Sequence, residues 1–542
     1  MKINTYKGFG YFSTSFALWK KMVCRILFYL LILQLFIICY SVYQNFALPL
    51  PDIMRNLLQN TLGKSFIIYL GIFPLVYLFS LITENSETIK TVRGAELISF
   101  NQYCFDLKKA NIKTDVCIGK SITQSLWKKE QQPVYLPQFS GHILLIGSTG
   151  TGKTNSILQM LEWYETENIP CIILDAKNEY IAKKFRPGID LLFNPLDCDS
   201  IQWNFFDEIK RWPDIDAISA FIVPENKSHS DPIWTHAPRA IIAALIEQLI
   251  KMKHSNCGSL WSILNSGIST IRKALTNSNN KTISDYLTET GAADGHSKLA
   301  QDIKASMTQY IQFLRYMPKK SGDFTIDDWL KNKVSGNIYI TSHPDLKETL
   351  KPALSLFLSM LIMKVNALPN DQTRKIRWIL DEINQLYPQK LLPDLLTQSR
   401  SKGSQVIIGI QDKAQFDENY GKNNADSIIG CCATQIIFRC DGPETAEYAS
   451  KILSKGKIIE PENSSSHGSS DVREGISKSN RPKEEYLLMA SEIQMSPDLK
   501  AYVFPKARNP FGVDFAYKHF SDEIDSFVAR PDLKLCARCV HN

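Results

Sequence analysis

The stretch HILLIGSTGTGKTNSI, from His142 to Ile157, sets Gly147, Gly152, Lys153 and Thr154 in the spacing G-x-x-x-x-G-K-[ST]. That spacing suits one chemistry, the cradling of a nucleotide's phosphates. Glycines let the backbone from Gly147 through Ser148, Thr149, Gly150, Thr151 and Gly152 wrap the anion with N–H groups. The helix that follows adds the partial positive charge of its N-terminus. In such a loop Lys153 neutralises the β and γ phosphates of ATP and the Thr154 hydroxyl ligates Mg2+. The flanks agree: HILLI is a short apolar run suited to a buried strand, and NSILQMLEWYE carries apolar residues at helical spacing.

Hydrolysis also needs a carboxylate for the metal and a group that polarises water. In KIRWILDEINQLY the apolar run Ile376 to Leu380 reads as a buried strand ending in Asp381 and Glu382. Ligands of open α/β sheets gather at such carboxyl ends. Asp381 there holds Mg2+ through water and Glu382 accepts the proton of the attacking water. The alternative is a surface acid pair opening the next helix. Asp175 and Lys177, after CIIL, and Gln411, after QVIIGI, repeat the pattern at two more strand ends. They are placed to sense the γ phosphate, although every strand must end in something polar. Cys536 and Cys539, with His541 beside them, have ligand-like spacing but supply only part of a four-ligand zinc site.

Those residues require a sheet to hold them. At 542 residues the chain is long enough for three or four domain-sized units, and its net charge of +7 permits contact with nucleic acid or anionic lipid without arguing for either. Two uncharged apolar runs, 26–43 and 65–83, are each long enough to span a bilayer as a helix. A signal peptide competes for the first run, but a second span follows and the small-residue cleavage pattern is missing. Lys20, Lys21 and Arg25 precede the first run, whereas the intervening loop carries Arg55 and Lys64, so positive charge places both termini in the cytoplasm. None of the twelve cysteines falls in the outer loop, which argues against disulfides.

The expected organisation is a membrane anchor over 1–88 with a short periplasmic loop, a connecting region over 89–137, and a nucleotide-binding domain over 138–212 and 321–530. An all-α insert occupies 213–320 and a tail 531–542. FDLKKANI and VCIGKSI read as strand pieces, and the polar run between Glu460 and Glu484 reads as a mobile loop. The insert follows from a physical constraint: the phosphate loop and Asp381, more than 200 residues apart, must lie in one sheet to share a metal.

With GSTGTGKT, LDAKNEY, FRPGIDLLFNPLDCDSIQWNFFDEI, ILDE and LLPDLLTQSRSKGSQVIIGIQDKAQFDENYG in place, the chain resembles the TraD/TraG-type coupling proteins of conjugation and type IV secretion. The likeness runs from about residue 20 to 520, and the RPG, NP and WN spacing after Phe185 is its most specific part. It implies a RecA-like fold related to the FtsK and HerA motors, with two membrane helices, forming a homohexamer at the bacterial inner membrane. It further implies an ATPase that takes relaxase-bound single-stranded DNA to a type IV secretion channel. Gln411 then falls on a nucleotide-sensing glutamine and Arg400 on an arginine that reaches the neighbouring subunit's nucleotide. Asn178 stands where many relatives have glycine, which weakens any role for Asp175 and Lys177. The same motor passing mainly protein effectors, or a membrane scaffold with a regulatory nucleotide site, are the alternatives. Lys319, Lys320 and the basic residues of the insert are candidate DNA contacts.

Overall fold

The computed structural model describes residues 91–533, apart from 125–128, 139–140, 226–231, 278–282, 284, 288–297, 372 and 466–475. The expected membrane spans and the Cys536/Cys539 pair lie outside the described residues, among which no helix is long and apolar enough to cross a membrane. The chain divides into two compact units, a smaller one that includes Ile459–Arg481 and a larger one of Thr91–Ile458 with Pro482–Asn542.

The strands are β1 (Thr91–Gly94), β2 (Ile98–Ser99), β3 (Thr114–Gln124), β4 (Lys129–Pro137), β5 (Ile143–Ile146), β6 (Cys171–Asp175), β7 (Leu191–Phe193), β8 (Ile338–Thr341), β9 (Ile376–Asp381), β10 (Ser404–Ile410), β11 (Thr434–Ile437), β12 (Lys455–Ser465), β13 (Ile476–Tyr486), β14 (Lys500–Phe504) and β15 (Phe511–Asp514). Ten of them form one sheet in the order β2-β15-β14-β11-β5-β10-β9-β6-β8-β7. From β11 to β7 neighbours run parallel, while β14 is antiparallel to both β11 and β15. Parallel strands must be covered on both faces, which is why β5, β6, β8 and β10 are apolar runs buried throughout.

The two faces have separate cores. Ile143 and Leu145 of β5 join the cluster under the Lys153–Thr166 helix, whereas Leu144 and Ile146 join the opposite one. That second core continues through Ile218, Leu245, Leu260, Ile303 and Leu314. These residues belong to helices Trp212–Ile222, Ile233–Lys251, Cys257–Leu264 and Lys298–Ile311 and to the turn Gln312–Arg315. The helical segment therefore shares one hydrophobic interior with the sheet.

Two sequence expectations fail. FDLKKANI falls mostly in a helix, Phe100–Lys109, because Ser99 caps it by accepting from Gln102 N and Phe100, Tyr103 and Leu107 bury one face at helical spacing. VCIGKSI does lie in a strand, β3. The polar run after Glu460 contributes to β12 and β13, which with β1 make a three-stranded sheet. Backbone pairing alone forms such a ribbon, so hydropathy does not signal it.

A buried ion pair ties the turn Phe205–Glu208, just before the helical segment, to the chain that follows that segment. Glu208, fully buried, accepts from Ile326 N at 2.6 Å and Trp203 Nε1 at 3.3 Å, and lies 3.3 Å from Lys364 Nζ in the helix Lys347–Asn366. Removing Glu208 leaves Ile326 N and Trp203 Nε1 buried without their acceptor and Lys364 with only Asp327, whose Oδ2 lies 3.1 Å from Nζ. Glu208→Ala should therefore destabilise the protein by about 3 kcal/mol; a thermal unfolding midpoint matching wild type would contradict this.

Candidate nucleotide site

The loop after β5 is built around its glycines. Gly150 (φ 77°) and Gly152 (φ 115°) adopt left-handed backbone that side chains disfavour. A Cβ on Gly147 would meet Phe438 Cβ at 2.7 Å. The loop is tied down by Ser148 N donating to Arg439 O at 2.8 Å and Leu499 N donating to Thr151 O at 2.9 Å. Lys153 is buried, its ammonium donating to the carbonyls of Gly147 and of Ser148, the latter at 2.8 Å. Burial lowers its pKa, with the Asp381 carboxylate pulling the other way.

Strand order explains what faces the loop. β10 lies between β5 and β9, and β6 lies beyond β9, all parallel, so four neighbouring carboxyl ends deliver their residues to one edge. Gln411, just past β10, accepts from Thr149 Oγ1 at 3.1 Å and donates to Glu382 Oε1. Lys177, just past β6, pairs with the same Glu382 oxygen, and Gln385 donates to the other. Glu382 itself has φ 55°, a left-handed conformation that turns the chain directly after Asp381. Thr149, Gly150, Gly152, Lys153, Thr154, Lys177, Asp381, Glu382 and Gln411 all line one cleft of about 450 Å³. The loop and the acid pair thus do meet.

Asp381 has two different oxygens. Oδ2 accepts from the Tyr180 hydroxyl at 2.7 Å, while Oδ1 is sealed from solvent and has no hydrogen-bond partner. Burial raises its pKa, against the Tyr180 bond. An orphaned buried carboxylate oxygen is unfavourable unless a cation or water meets it, so the donor set fits a magnesium-bound nucleotide, whose metal Thr154 and Asp381 would hold. Sequence reasoning missed two residues here. Tyr180 orients Asp381, and its ring gave no signal of that among apolar neighbours. Gly409, opposite Asp381 in the β9–β10 register, leaves room for the carboxylate: a Cβ there would collide with Oδ1.

The structure places Asp175 apart from the phosphates. It caps the helix Glu179–Lys184, accepting from Glu179 N at 3.0 Å, Tyr180 N at 2.9 Å and Ile181 N at 2.7 Å. Burial pushes its carboxyl up to about 7 despite those three amides. Asn178 takes φ 59°, a left-handed turn that asparagine tolerates, so its replacement of glycine leaves the cap intact. Arg400 is exposed in the turn Ser399–Lys402 before β10, at the opposite edge of the sheet from its own phosphate loop. There it lines a cleft of about 720 Å³ with Arg374, Lys375, Arg377 and Lys402. Lys319 and Lys320 line another cavity with Arg315 and Arg530.

A doubly covered parallel sheet with a phosphate loop and an acid pair at the carboxyl ends of strands one apart defines a P-loop nucleotide-binding protein. Residues 133–512 match the family model of the type IV secretion-system coupling protein DNA-binding domain, and the chain belongs to that family. Coupling protein TraD of Escherichia coli K12 is 27% identical over 405 residues, covering 73% of this chain and 54% of TraD. The chain thus spans about half the length of that relative. Among solved structures, the bacterial conjugative coupling protein TrwB, in its ΔN70 form, shares the fold with a TM-score of 0.68 at 23% identity, over 81% of this chain and 97% of that one. TrwB in complex with ADP and Mg2+ gives 0.66 at 23% identity, over 82% and 98%.

Gly409→Ala should displace the Asp381 carboxylate and weaken magnesium-dependent ATP binding at least about tenfold while the protein stays folded; calorimetric binding equal to wild type would contradict it. Asp175 supplies a pH signature. Because its folded pKa of about 7 exceeds the ordinary 3.8, its contribution to stability is fully present below pH 3.8 and is lost as pH rises through 7. The melting temperature of Asp175→Asn should therefore gain on that of wild type between pH 4 and pH 7, and a constant difference across that range would refute the assignment.

Proposed function

We propose that this protein is an ATP-driven coupling motor of the bacterial inner membrane. As a homohexamer, it recruits relaxase-bound single-stranded DNA and delivers it to a type IV secretion channel during conjugation. The observation that carries the reading is the convergence of Lys153 with Asp381 and Glu382 in one cleft, within a chain whose residues 133–512 belong to the coupling-protein DNA-binding family. TrwB structures that hold ADP with Mg2+, or a non-hydrolysable ATP analogue, support ATP and Mg2+ as the ligands here. The apolar runs 26–43 and 65–83 support the membrane anchor.

The residues divide the work. Lys153 leaves the Gly147 and Ser148 carbonyls for the β and γ phosphates, and Thr154 with Asp381 holds the metal. When bound, magnesium supplies charge neutralisation at the transferred phosphoryl group. Glu382 accepts the proton of the attacking water, and Gln411 links Thr149 of the loop to Glu382, so it registers whether the γ phosphate is present. Arg400 acts in the next subunit's site; its place at the far edge of the sheet supports that role, because it has no access to its own loop. Such an arginine contributes on the order of 10³ in rate. Exposed Lys319 and Lys320 are suited to sequence-independent phosphate contact.

The test is ATP hydrolysis by the full chain with and without single-stranded DNA. Wild type should be stimulated by DNA. Lys153→Ala and Arg400→Ala should each lose at least about a hundredfold in rate. Mixing the two inactive variants should restore part of the activity through interfaces that pair one intact loop with one intact arginine. Recovery no greater than either variant alone would remove Arg400 from this role, and full activity of Lys153→Ala would remove the motor.

A further inference from the structure

Resting on the nucleotide-site reading, we propose that Tyr517 is the stacking platform for the nucleobase. The phosphate end of the cleft is fixed by the loop and Lys153. From there the cleft continues past Asn155 and Leu158, on the first turns of the helix, to Tyr517, Lys518 and Phe520. These last residues follow β15 and are fastened to the same helix. Asn155 Nδ2 donates to Lys518 O at 2.7 Å and Lys518 N donates to Asn155 Oδ1 at 3.2 Å, so the amide side chain grips the Lys518 backbone by both its carbonyl and its N–H.

Within that clamped segment the two rings differ. Phe520 is covered by the ammonium groups of Lys184, at 5.3 Å, and Lys518, at 5.2 Å. Tyr517 is 63% exposed, a large apolar surface on the wall of a cleft otherwise made for a charged ligand. A rigidly held, uncovered aromatic face beside a phosphate site is what a planar base stacks on.

Two polar side chains beside the platform are already engaged. Asn155 is used by Lys518 and by Gln159 Nε2 at 2.9 Å, and Lys518 Nζ lies 2.5 Å from each oxygen of Glu162. Asn155 and Lys518 are thus committed to holding the segment in place, and what the segment presents to a base is the face of Tyr517. Stacking on that face grows with ring area, so a purine gains more from it than a smaller pyrimidine.

The experiment is calorimetric binding of ATP, GTP, CTP and inorganic tripolyphosphate to the full chain in Mg2+. Wild type should bind ATP and GTP more tightly than CTP. Tyr517→Ala should weaken ATP and GTP about tenfold and leave tripolyphosphate within about twofold, whereas Tyr517→Phe keeps wild-type affinity. Tyr517→Leu, which keeps apolar bulk without a π face, should behave like alanine. Equal loss of ATP and tripolyphosphate in Tyr517→Ala, unchanged ATP binding, or wild-type binding by Tyr517→Leu would each overturn the platform. Lys153→Ala serves as the separate control: if it keeps wild-type affinity for tripolyphosphate, the nucleotide-site reading fails rather than the assignment of the ring alone.

Discussion

Everything in the site depends on the parallel register of four adjacent strands, β5, β10, β9 and β6. Parallel pairing forces their carboxyl ends to one edge, and each end delivers a polar group that the strand interior excludes. A network then closes across the edge, from Thr149 through Gln411 to Glu382 and on to Lys177. No member of it is close in sequence to the next. Loss of register by one residue would turn these groups to the opposite face of the sheet.

Asp381 shows how such an edge is tuned from beneath. Its carboxylate is held by Tyr180, which is held in turn by the helix that Asp175 caps, and the space it occupies exists because Gly409 has no side chain. Three residues that touch no phosphate thus decide where one oxygen stands. Asp175 gives up a direct part in the chemistry and becomes the foundation of that chain of contacts.

Much of this was legible in the sequence, for identifiable reasons. The loop spacing, the apolar runs ending in Asp381 and Gln411, and the helical periodicity between 213 and 320 each reflect local physics that one segment carries by itself. Tyr180 and Gly409 were not legible because their significance lies in partners 201 and 28 positions away, Asp381 in both cases. The helix at Phe100 was misread because Lys108 and Lys109 mask the spacing of Phe100, Tyr103 and Leu107. The ribbon after Glu460 was misread because backbone pairing leaves no apolar trace.

The unbroken interior beneath the sheet has a mechanical meaning. The helix Ile233–Lys251 has 19 residues and is rooted in the same packed core as Leu144 and Ile146. A close-packed core transmits displacement instead of absorbing it. At 1.5 Å per residue the helix is about 28 Å long, and it is packed into that core from Ala237 to Leu249. A shift at the strand ends would therefore be passed on to the helical segment through packed side chains, not lost between them.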